Sequence, residues 1–269
     1  MNAPPSTAAG DGLLEAVVAP GVVRLTLDRP ASRNALDEPL IAALHDAVRR
    51  YAQAPATRVL LIAASGSAFC AGADLKNMLE RGRAGGEANL ADARALAAML
   101  LAIRECPKPS VALVQGAAFG GGVGLATACD VALGSEAAKF RLPEVQLGIV
   151  PAVISPYVVE AIGAREARRW CLSGEPIDAA LARELGLLHE VVPAAQLEAR
   201  GLELARAIAA GAPGALAACK RLLGGLAREP ASAEVAARSA ALLAELRAAP
   251  EGQEGFGAAL DKRSPAWRA

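Results

Sequence analysis

Two short segments of this chain put small residues where a backbone can be approached closely. Residues 111–125 read VALVQGAAFGGGVGL: an apolar run, a bend, then Gly120, Gly121 and Gly122 opening a helical stretch. Glycines at a helix start admit a close neighbour, and the unpaired N–H groups there attract negative charge. Residues 65–76, SGSAFCAGADLK, also follow an apolar run and set Ala71, Gly72 and Ala73 where the chain would turn. Two such bends can point two main-chain N–H groups at one oxygen, which is what holding a developing oxyanion in acyl chemistry requires. Close packing of strand on helix is the other use of the same glycines, and the sequence leaves it open.

The register of these glycines excludes the common nucleotide loops. A dinucleotide fingerprint starting at Gly120 needs glycine at 125, which is Leu125; one starting at Gly122 needs it at 127, which is Thr127. The chain has no GxxxxGK phosphate loop, no GxSxG elbow and no HExxH pair. Its two histidines, His45 and His189, are too few for a His-rich metal site, so no metal is expected. The five cysteines are odd in number and never form CxxC, which fits buried thiols in a reducing compartment. Cys70, beside the second bend, has nothing nearby to activate it and reads as a small core side chain.

The elements that must position these bends are legible as alternating patterns. Apolar runs at 22–27, 59–63, 111–114, 131–133 and 189–192 read as strands. Between them lie helical patterns. Asp37 caps one, with Pro39 in its first turn and Leu40, Ile41, Leu44, Val48 and Tyr51 on one face. Another spans 88–104, with Leu96, Met99, Leu100 and Ile103 inward. Strands alternating with helices predict an α/β body over 13–195. Beyond about 195 the pattern is Ala-rich and helical, broken near Gly211–Pro213, Glu229–Pro230 and Pro250–Gly252, and a helical region over 196–269 is expected. Residues 1–12, MNAPPSTAAGDG, have little to bury and are expected to form a disordered tail.

With 269 residues and 54% hydrophobic content, the chain can bury a sizeable core. Its 28 basic and 28 acidic residues cancel, which removes the global electrostatic argument for nucleic acid or an anionic membrane as partner. No run reaches the ~18 apolar residues of a membrane span, and the N-terminus lacks the basic start and apolar stretch of a signal peptide. A soluble, cytoplasmic protein is expected.

The sequence resembles the crotonase superfamily (the enoyl-CoA hydratase/isomerase family). The resemblance rests on five motifs in order: RPASRNALD (29–37), SAFCAGADLK (67–76), QGAAFGGGVGLATACDVALGS (115–135), FRLPEVQLGIVP (140–151) and EGFGAALDKRSPAW (254–267). It implies a spiral of β-β-α units with a C-terminal helical trimerisation region, assembled as a homotrimer or a dimer of trimers. The implied substrate is an acyl-CoA thioester, with coenzyme A part of the substrate and no separate cofactor. Position by position, Ala73 and Gly121 match the two oxyanion-hole donors, and Glu144 in Leu142–Pro143–Glu144 matches a catalytic glutamate. Ala71, Asp74 and Leu75 resemble the turn that lines the CoA adenine, and Gly120 and Gly124 belong to the glycine-rich stretch beside the acyl group. Arg33 resembles the pantetheine or phosphate side, and Lys262 a basic residue offered to CoA, commonly from a neighbouring subunit. The aromatic residue usual just before that lysine is replaced by Ala259.

One further departure separates this chain from the best-known hydratases, which carry a second glutamate three residues beyond the middle glycine. That position is Gly124, so two carboxylates gripping one water are not available. The stretch VQLGIVPAVISPYVVEAIGAREARRW (145–170) is similar to 3-methylglutaconyl-CoA and isohexenylglutaconyl-CoA hydratases. The expected reaction is therefore water addition to the C=C of such a branched enoyl-CoA. The alternatives are an enoyl-CoA Δ-isomerase shuttling a proton on the single glutamate, and a non-catalytic RNA-associated or scaffolding paralogue. A second substrate carboxylate would need a cationic partner; Arg141, Arg81, Arg83 and Lys76 are the candidates. Asp74 and Asp130 also read as structural carboxylates that cap helices or tie loops.

Overall fold

A computed structural model of the chain describes residues 7–9, 12–226 and 229–268. The strands are β1 (Thr7–Ala9), β2 (Leu13–Ala19), β3 (Val22–Leu27), β4 (Val59–Ala64), β5 (Ala68–Cys70), β6 (Ser110–Val114), β7 (Ala117–Phe119), β8 (Val131–Ser135), β9 (Lys139–Arg141), β10 (Ile177–Asp178) and β11 (Glu190–Val192). The helices are α1 (Glu38–Gln53), α2 (Leu75–Arg83), α3 (Gly86–Glu105), α4 (Gly121–Ala128), α5 (Ser155–Ser173), α6 (Ala179–Leu185), α7 (Leu197–Ala209), α8 (Pro213–Leu226), α9 (Ala233–Ala248) and α10 (Pro250–Leu260).

The strands form two sheets that the chain visits by turns. A seven-stranded sheet runs β1-β2-β3-β4-β6-β8-β11, and a four-stranded one runs β10-β9-β7-β5. Each of β4, β6 and β8 in the large sheet is followed directly by β5, β7 or β9 in the small one, and both sets advance in the same order, parallel within each sheet. This is the spiral of β-β-α units that the resemblance implies.

Strands buried on both faces show no polar alternation. In β4, Leu60 and Ile62 join the core beneath α1 and α3, whereas Val59 and Leu61 join a second cluster on the opposite face. That second cluster is closed by α7 through Leu197 and Ala205, so a helix assigned from sequence to the C-terminal region packs as part of the body. The remaining C-terminal helices are less buried, and α9 buries no residue. Lys220 on α8 ties this region down: its Nζ donates to the Ile103 and Lys108 carbonyls and to Asp130 Oδ2, 2.8 Å away.

Three local expectations need correction. Within the supposed tail, Thr7–Ala9 pairs antiparallel with Leu13–Glu15, because β2 offers an edge whose main-chain groups need partners; residues 1–6 and 10–11 lie outside the described residues. β2 itself was not expected, and it hairpins onto β3. The small sheet was also missed, since strands of two or three residues carry no readable period.

Candidate active site

The loop carrying Ala71–Asp74 is held from one side by the 29–36 motif. Ala71 N donates to the Arg33 carbonyl, Leu36 N to Gly72 O (2.8 Å), and Asp74 N to Leu36 O (3.0 Å). That strap is fixed by Asn34, which is fully buried. Its Oδ1 accepts from Arg29 N, and its Nδ2 donates to the carbonyls of Ser65 and Ala68. Sequence reading passed over Asn34; a polar residue inside RPASRNALD, flanked by Ala35 and Leu36, was the available signal.

The two bends then meet. Gly72 has φ +95°, and a Cβ there would lie 2.7 Å from the Phe119 carbonyl, so only glycine allows this approach. Gly121 N sits 3.5 Å from that same hypothetical Cβ, and Ala73 N sits 3.7 Å from the one Gly121 would carry. The two amides therefore share one small volume. Among the described residues neither donates to a protein acceptor, and Gly121 is the first residue of α4, where helix amides are unpaired.

Glu144 completes the site. It opens a 3-10 turn after Pro143 and is 9% exposed. Its Oε1 lies 2.9 Å from where a Cβ on Gly120 would stand, while its Oε2 is buried without a hydrogen-bond partner. Burial pushes the carboxyl above the usual carboxylate range, and a hydrogen bond from its own main-chain N–H offsets this in part. A carboxyl shifted in this direction holds a proton more readily than a solvated one, which suits a group that must take a proton and return it.

Ala73, Gly121 and Glu144 line one cavity of about 530 Å³. Ala71, Leu75, Gly120 and Arg141 line it too. Its apolar wall comes from Leu75 and Met78 on α2, Leu96 on α3, and Val150, Val153 and Ile154 beyond the 3-10 turn. Asn89, Asp92 and Gln146 add polar groups.

Four of the residues expected at the site lie elsewhere in this single chain. Arg33 is exposed and acts through its carbonyl, as above. Asp74 caps α2, Oδ1 accepting from Lys76 N and Asn77 N at 2.9 and 3.0 Å, which is the structural role expected of it, and it is not among the residues lining the cavity. Gly124 is buried behind the cavity: a Cβ there would meet Ile154 Cβ at 2.8 Å, so Ile154 occupies the room a glutamate side chain would use. Lys262 is exposed on the turn after α10 and does not line the cavity. Asp130 accepts from Ser110 and Lys220 and is structural. Cys70 is buried and its thiol is pushed up to about 12, which keeps it inert.

Comparison with known proteins agrees with this geometry. The family model described as Enoyl-CoA hydratase/isomerase matches residues 18–269. The chain is 38% identical over 246 residues to 2,3-dehydroadipyl-CoA hydratase of Escherichia coli, covering 91% of this chain and 94% of the relative. It is 35% identical to the mevalonyl-coenzyme A hydratase sidH of Aspergillus fumigatus, covering 96% and 95%. The crystal structure of an enoyl-CoA hydratase from Shewanella pealeana superposes with a TM-score of 0.91 at 38% identity, covering 95% of this chain and 96% of that one.

Proposed function

Because the chain belongs to the enoyl-CoA hydratase/isomerase family, we propose that it is a hydratase adding water to the C=C of a branched enoyl-CoA of the 3-methylglutaconyl or isohexenylglutaconyl type. The observation that carries this reading is the meeting of two free main-chain amides and one buried, unpaired carboxylate on a single cavity. The names of two relatives support the finer part: one acts on a dehydroadipyl ester, which bears a second carboxylate, the other on a mevalonyl ester, which is branched.

The thioester carbonyl oxygen lies between the N–H groups of Ala73 and Gly121. Glu144 takes a proton from water as the water oxygen bonds to Cβ. The C=C electron pair moves through Cα onto the carbonyl oxygen, forming the enolate. The two amides and the α4 dipole stabilise that charge. Collapse of the enolate draws the proton from Glu144 to Cα, giving the 3-hydroxyacyl ester and restoring the carboxylate. Coenzyme A arrives with the substrate, and no separate cofactor is needed. In a trimer or a dimer of trimers, Lys262 of a neighbouring subunit would face the CoA phosphates. A cytoplasmic location accompanies this reading.

One observation favours a second reading. With Ile154 filling the space beside Gly124, no second glutamate stands at that position, and an isomerase needs only one base to move a proton from Cα to Cγ. A non-catalytic role is disfavoured by Glu144, whose buried Oε2 has no hydrogen-bond partner. Linear, 3-methylglutaconyl and isohexenylglutaconyl enoyl-CoA esters separate these readings when assayed by loss of enoyl absorbance and by product mass. Gain of one water on a branched ester supports the hydratase. Rearrangement without mass change makes the protein an isomerase, and inertness on the whole panel refutes both.

A further inference from the structure

We propose that Arg141 is the specificity residue of this cavity and receives a carboxylate at the far end of the acyl chain; this rests on the reading that the cavity holds an acyl-CoA ester. Four cations were open candidates for that partner. Arg81 is paired with Glu38 on the surface, and Lys76 and Arg83 are exposed on α2 away from the cavity lining. Arg141 alone of the four lines the cavity.

Its guanidinium is oriented but not neutralised. Nε donates to the Gly174 carbonyl at 2.7 Å, at the C-terminal end of α5, and Nη2 donates to Gln146 Oε1 at 2.7 Å. Both acceptors are uncharged, and Nη1 has no protein partner among the described residues. Glu144 and Asp92 also line the cavity, yet neither forms an ion pair with Arg141. Capping α5 would account for one N–H and does not explain a full charge facing a largely apolar cavity. A fixed guanidinium edge with a free N–H is suited to accept a carboxylate, and the two existing bonds hold it there before the ligand arrives. A non-carboxylated acyl chain would leave that charge without a partner, so the residue selects as well as binds.

The test uses saturated esters, which bind without turnover: glutaryl-CoA against pentanoyl-CoA, and adipyl-CoA against hexanoyl-CoA, by calorimetry on the wild-type protein and on Arg141→Met and Arg141→Lys. In at least one pair the wild type is expected to prefer the dicarboxylyl ester by tenfold or more. Arg141→Met is expected to collapse that ratio towards one, and Arg141→Lys to keep part of it. Thermal melting of each variant establishes that it is folded. No preference in the wild type overturns the proposal, as does a ratio that survives Arg141→Met; the latter includes equal loss on both esters, which would mark a contact to the shared CoA part. Failure of the hydratase reading shows separately, as no water gained by any enoyl ester, while the binding ratio is still measured.

Discussion

At the scale of single residues, Glu144 carries both the chemistry and a cost. Its folded-state pKa is held above the unfolded value by burial, so the folded protein keeps this proton over a pH interval in which the unfolded chain has lost it. Stability from this group is therefore full below the ordinary carboxylate pKa and declines as pH rises through the raised value. Glu144→Gln removes that titration. Its melting temperature is expected to approach the wild type at acidic pH and to exceed it increasingly towards neutrality; a pH-independent difference would contradict the assigned burial. Gly124 bears a second prediction. Gly124→Glu must push aside Ile154, whose Cβ would lie 2.8 Å from the new Cβ, and overpacking of this kind costs about 1–3 kcal/mol. The variant is expected to melt lower without gaining hydration rate, whereas a faster enzyme would show that the space is not filled. The missing glutamate was plain in the sequence. Its replacement by Ile154, thirty residues away, was not, because packing partners across elements leave no local pattern. The same holds for Asn34, whose three hydrogen bonds cross to Arg29, Ser65 and Ala68.

At the scale of elements, the long buried strands and amphipathic helices were readable because burial imposes a period on their residues. α1 begins where Asp37 caps it, its Oδ1 accepting from Leu40 N at 3.1 Å. α2 has no span legible in the sequence beyond its possible cap, Asp74, since that cap sits inside the loop that carries the site and none of the helix's residues is buried. α7 is attached to the body by apolar packing through Leu197 and Ala205, whereas α8, which buries only Ala218, is also tied down by a polar contact. Lys220, 10% exposed at its side chain, satisfies three acceptors, and its removal leaves Asp130 with an uncompensated charge. The pair is partly buried, 10% and 22% exposed at its side chains, and breaking one side leaves the other charge uncompensated, so Lys220→Met is expected to lower the melting temperature by several degrees. Hydrogen exchange should show faster opening in α8 with β4 and β6 unaffected. Unchanged exchange in α8 would place its anchor elsewhere.

At the scale of the whole molecule, the order of the five motifs conveyed the fold because each one sits at a turn of the spiral: the strap, the two bends, the glutamate turn and the last helix. The C-terminal helices leave Leu243, Phe256 and Leu260 exposed, the last by 83%. Apolar groups of this size on neighbouring helices suit contact with further copies of the chain. Native mass spectrometry is expected to give three or six copies, and a strictly monomeric protein would remove the proposed role of Lys262 at a neighbour's CoA. The account as a whole depends on one base, Glu144, facing two oxyanion-holding amides across one cavity. Its most direct test is the initial rate of hydration of a carboxylated enoyl-CoA in isotopically labelled water, for the wild type and for Glu144→Gln. The account predicts label at Cβ of the wild-type product and a loss of at least about 10²-fold in the variant; near wild-type incorporation by Glu144→Gln would contradict it.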